Sequence, residues 1–107
     1  MTASDRRKAE EAAYRRALGK RLREVRLSQG LSLSAVEQRS EGDWPAVVIG
    51  SWERGDRRVF TCSLVRLARF YGVPAGTLLT GTDEHPDAAE AVQAERSRIV
   101  ALIGGAQ

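Results

Sequence analysis

Apolar residues recur along this chain at three- and four-residue spacing, the period of a helix that buries one stripe. No stretch alternates apolar and polar positions for long enough to make a strand. The one β-branched run, Val47-Val48-Ile49, is short and flanked by helix-like sequence. The pattern predicts an all-α chain. Tyr14, Leu18, Leu22 and Val25 share one face of a first helix that begins near Ser4 or Asp5 and ends at Gln29. Gly30 then supplies the left-handed backbone that closes a helix. Ser32 is the predicted N-cap of a short second helix over 33–40, with Leu33 and Val36 inward. After the turn Ser40-Glu41-Gly42-Asp43, a third helix is predicted from Trp44 to about Glu53, capped by Asp43 and with Pro45 in its first turn. Trp44, Val48, Ile49 and Trp52 would pack inward, leaving Ala46, Val47, Gly50 and Ser51 outward.

Thr61 is the predicted cap of a fourth helix over 62–71. Its inner stripe is Leu64, Leu67, Ala68 and Tyr71, Phe60 staples against Val65, and Gly72 ends it. A short fifth helix follows Pro74, with Leu78 and Leu79 inward. Residues 81–86 read as a linker. Asp87-Ala88-Ala89-Glu90 reads as a capping box for a last helix over 87–104, whose Ala88, Val92, Glu95, Ile99 and Leu102 fall near a 3.5-residue period. That period suits either a dimerisation helix or a segment folded back on its own domain. Residues 1–13, mostly charge and alanine, extend the first helix or form an arm ahead of a domain over 14–80.

A length of 107 residues with 42% hydrophobic and 29% charged positions suits one folded domain. No apolar run approaches the ~20 residues of a membrane span, and the polar N-terminus has no apolar core of a secretory signal. The single cysteine, Cys62, and single histidine, His85, give no disulfide and no metal site, so neither metal nor cofactor is expected and a cytoplasmic location is the default. There is no Gly-rich phosphate loop and no nucleophile–base pair, so no enzyme is expected. Lys and Arg number 17 against 14 Asp and Glu, a net charge of +3. The excess sits at the front: residues 1–29 carry nine basic and four acidic side chains, whereas residues 81–107 carry two and five. Such a balance permits a nucleic-acid partner without requiring one.

The block from Leu18 to Leu79 carries the functional signal. It contains Leu18, Leu22, Gly30-Leu31-Ser32, Val36, Ile49, Trp52-Glu53-Arg54-Gly55 and Phe70-Tyr71-Gly72-Val73-Pro74 in order. This set resembles the helix-turn-helix of the Cro/repressor (XRE) family. Within it, Gly30-Leu31-Ser32-Leu33, Ala46-Val47-Val48, Gly50-Ser51 and Glu53-Arg54-Gly55-Asp56-Arg57 are similar to the N-terminal DNA-binding domain of BldD-type actinomycete regulators. The turn Glu41-Gly42-Asp43-Trp44 is about two residues longer than the common family turn, a length the BldD type shares. The resemblance implies a five-helix repressor-like bundle plus a C-terminal helix, with the third helix entering the major groove of DNA.

On that resemblance Ala46, Val47 and Ser51 stand at base-reading positions, with Gly50 on the same outward face. Small residues let the backbone approach the duplex, Ala46 and Val47 suit thymine methyl groups, and a serine hydroxyl suits a base or a phosphate. The Gln and Arg readers frequent in the family are missing from these positions, so direct readout would be thin and Arg54, Arg57 or Arg58 would have to add base or minor-groove contacts. Arg54, Arg57 and Arg58 after the third helix, and Ser32 and Ser34 at the start of the second, are expected at phosphates. The resemblance further implies a structural ion pair between Arg26 and Glu53. The expected function is a sequence-specific transcriptional regulator binding double-stranded DNA as a homodimer on a palindromic or pseudo-palindromic site. The alternative is a protein-interaction module, antitoxin-like or sigma-directed, on the same fold. BldD-type regulators bind a cyclic dinucleotide through a C-terminal arginine/aspartate motif. The Arg-x-x-Asp half does not follow Arg54-Gly55-Asp56, so no small-molecule effector is expected.

Overall fold

The computed structural model describes residues 1–80. The linker and last helix expected beyond Thr80 lie outside the described residues. Five helices follow one another: α1 (Ala3–Ser28), α2 (Leu33–Arg39), α3 (Ala46–Glu53), α4 (Thr61–Tyr71) and α5 (Ala75–Thr80). α1 packs against α3 and α5, α2 against α3, and α4 against α5. The core joins Leu18 and Leu22 of α1, Val36 of α2, Ile49 and Trp52 of α3, Leu64, Leu67 and Tyr71 of α4 and Leu78 of α5. These are most of the inward positions that helical spacing picks out; Tyr14 and Leu79, also expected inward, are 46% and 40% exposed.

The ends of the helices follow from local chemistry, with three departures from the expected boundaries. α1 starts earlier, because Thr2 and Asp5 close a reciprocal capping box at 3.1 and 3.3 Å. Residues 3–13 are therefore the start of α1 and not a separate arm. α3 starts later, at Ala46. Pro45 disfavours helical backbone at Trp44 and is itself extended (φ −58°, ψ 143°), so Asp43 does not cap the helix. Asp43 pairs with Arg66 of α4 at 2.8 Å instead. At α4 the extended residue is Phe60; its ring stays 74% exposed, and the staple against Val65 does not form. The Ser32 hydroxyl accepts from Ala35 N–H at 3.0 Å at the start of α2, and left-handed Gly72 (φ 70°) ends α4.

The long turn between α2 and α3 is anchored from its far end. Glu41 and Gly42 both take positive φ (55° and 82°). Trp44 then drops into the core at 7% exposure, edge-on to Phe70 at 5.4 Å, with the Arg66 guanidinium over its ring. Asp43 and Trp44 thus tie the end of the turn to α4 just ahead of α3.

Candidate nucleic-acid interface

α3 is held from behind by α1. Gly19 permits the crossing, because a Cβ there would collide with the carbonyl oxygens of Trp52 and Glu53. Near the other end of α1, Arg26 Nε and Nη2 donate to the Glu53 carboxylate at 2.7 and 2.8 Å, and Nη1 donates to Leu31 O at 2.8 Å. One guanidinium thereby ties together α1, the α1–α2 turn and the end of α3. The hydrogen bond to Glu53 outweighs desolvation and holds the Arg26 pKa above its usual value. A buried pair of this kind sets geometry more surely than it adds stability. Tyr71 lies beside it in the core, and burial pushes its phenol up to about 12.

With its inner face closed, α3 presents its opposite side. Val47 is 79% exposed and Ala46 is half-buried, while Val48 packs partly against the core. Gly50 and Ser51, expected outward, are buried. Gly50 is covered by Leu33 of α2 and by the side chain of Arg54; a Cβ at Gly50 would sit 3.6 Å from Leu33 Cδ1 and 3.1 Å from Arg54 Nη1. Ser51 is only 8% exposed, and its hydroxyl donates to Val48 O at 2.6 Å. A hydroxyl turned back on its own helix in this way is withdrawn from a partner in the groove. The outward ridge of α3 is therefore Ala46, Val47 and, past the end of the helix, Arg54.

The basic positions around this ridge differ in their commitments. Arg54 Nε donates to Asp56 at 2.9 Å. Arg58 pairs with Glu11, which also accepts from Arg15 at 3.4 Å, while Arg15 Nε donates to Gly55 O. Arg57 is exposed with no ion pair among the described residues. Exposed pairs are weak, so Arg58 can exchange Glu11 for another anion at little cost. Ser32 and Ser34 are exposed at the start of α2. The Ser32 oxygen is used as a cap acceptor, which leaves its O–H free to donate.

Two structural residues escape the sequence reading. Arg21 is 7% exposed, with Nε and Nη2 donating to the carbonyls of Leu78 and Leu79 at 2.6 and 2.7 Å, and Tyr14 Oη also donates to Leu79 O. Its signal was its place three residues after Leu18 on the inner stripe. Gly19 carried a signal too, since a glycine inside a helix costs about 1 kcal/mol against alanine unless close packing needs it.

A helix-turn-helix domain family matches residues 17–80. Among solved structures, the chain is 54% identical to one described as the DNA-binding domain of BldD, covering 64% of this chain and 96% of that one at a TM-score of 0.62. A second, the S. venezulae BldD DNA-binding domain, is 55% identical over 63% of this chain and 97% of its own, at a TM-score of 0.61. No curated protein sequence matches the chain. The match spans all of α2, α3, α4 and α5 and the part of α1 that packs on them, and the chain belongs to this helix-turn-helix domain family.

Proposed function

We propose that this protein is a sequence-specific DNA-binding transcriptional regulator, acting in the cytoplasm as a homodimer on a palindromic or pseudo-palindromic site. The observation that carries the reading is the two-sidedness of α3: one side is locked into the core, and the other offers Val47 at 79% exposure as an uncovered ridge. A single helix exposed in this way fits the major groove. Its likeness to solved BldD DNA-binding domains at 54% and 55% identity supports the same reading. In this reading Ala46 and Val47 meet thymine methyl groups. Arg57, Arg58, Ser32 and Ser34 flank the ridge as phosphate contacts that set register and carry no sequence information themselves.

In vitro selection from a random duplex library, followed by titration at two salt concentrations, tests this. The expected outcome is one selected motif with two-fold symmetry, and an affinity that falls steeply as salt rises. A chain that selects no motif and is indifferent to salt is instead a protein-interaction module.

A further inference from the structure

Arg54 stands one place beyond α3, yet its side chain folds back along the helix. Val47 and Arg54 are seven residues apart, which puts them on one face about 10.5 Å apart along the axis. Between them on that face lies Gly50, and a Cβ there would sit 3.1 Å from Arg54 Nη1. The missing side chain is a notch, and the guanidinium lies over it. Asp56 steadies the group from the far side by accepting from Nε at 2.9 Å. Both partners remain open to solvent, at 64% and 63% side-chain exposure, so the pair adds little to stability and chiefly decides where the fork sits.

We propose that Arg54 reads a base: its guanidinium, seated in the Gly50 notch and held by Asp56, is the fork that recognises guanine in the major groove. The inference rests on the DNA-binding reading and, of the phosphate and base contacts the sequence left open for Arg54, gives it the base. The rest of the ridge lacks polar readers. Val47 and Ala46 are apolar, and the Ser51 hydroxyl is spent on Val48 O. A planar guanidinium with free Nη groups matches the O6 and N7 acceptors of guanine, whereas a lysine at the same place would supply charge without the fork.

The test is in vitro selection with the wild type and with R54A, R54K and G50A, each checked for folding by thermal melting. The wild-type motif should hold a guanine at one position of each half-site. R54A should lose that preference by roughly 10- to 100-fold while the other positions stand. R54K should lose it too despite keeping the charge, and G50A should weaken the same position by crowding the fork. An R54A protein that keeps the wild-type motif and binds every sequence less well, with a salt slope shallower by about one, makes Arg54 a phosphate contact and overturns the proposal. An R54A protein unchanged in both motif and affinity reduces Arg54–Asp56 to a surface pair and also overturns it. A wild type that selects no motif sinks the regulator reading itself, an outcome separate from either of these.

Discussion

On the inner side of α3, Ile49 and Trp52 keep only 2% and 7% of their surface exposed, and Glu53 is closed in a two-pronged pair with Arg26. On the outer side Val47 keeps 79%, and Arg54 has its side chain 64% exposed beside Asp56. Inner residues are over-determined: each touches several elements, and its replacement leaves a void, a clash or an unpaired charge. Outer residues touch little in the protein, so their replacement changes what the surface can recognise and leaves the fold intact. A groove-reading helix needs both properties, since its reading edge is only as well aimed as its back is fixed.

The largest effects are expected on the inner side of α3. Glu53→Ala leaves the buried Arg26 guanidinium without its carboxylate and should cost about 3–5 kcal/mol in denaturant unfolding. Replacing both partners, as Arg26→Met with Glu53→Leu, should recover most of that loss; a double variant as unstable as the single one would show that the pair itself stabilises the joint. Gly19→Ala should cost about 2–3 kcal/mol, because the added methyl meets the backbone of Trp52 and Glu53, which cannot move aside as a side chain end would.

Tyr71 gives a pH-dependent version of the same contrast. Its phenol is neutral when protonated, and burial holds its folded pKa at about 12 against an ordinary value of 10.0. Stability from this group is therefore complete below pH 10 and is lost as pH rises toward 12. The loss is on the order of 2 kcal/mol, and melts across that range should show it. Tyr71→Phe should flatten the slope.

Outer changes should leave unfolding nearly untouched. Arg57→Ala should shift stability by less than about 0.5 kcal/mol. It should weaken DNA binding for all sequences alike and make the salt slope shallower by about one. The smallest effect on stability, also below about 0.5 kcal/mol, is expected for Val47→Gln, which should nonetheless change the selected motif. An unchanged motif with an intact fold would move the reading edge away from Val47.

Much of the inner side was legible in the chain. Apolar spacing identified Leu18, Leu22, Val36, Leu64, Leu67 and Tyr71 as core, because one buried stripe per helix leaves a period that survives without coordinates. Ser32 and Gly72 marked helix ends through preferences that act over three or four residues. The start of α3 was less legible. Asp43 has the chemistry of a cap, but Arg66 from α4 claims it, and the extended backbone at Pro45 delays the helix. Gly50 and Ser51 were misjudged for a related reason: position on a helical wheel says which way a residue points, and not what folds over it.

The amino-acid order alone determined that the described residues are helical, where most of those helices stop, which stripes meet in the core, and that a helix-turn-helix lies between residues 18 and 79, because those properties come from local backbone preference and from the period of burial. Tertiary structure alone decided the rotation and support of α3: the crossing at Gly19 and the anchoring of Trp44 under Arg66. Those arrangements depend on atoms far apart in sequence approaching within a few ångströms, and no local pattern encodes that distance.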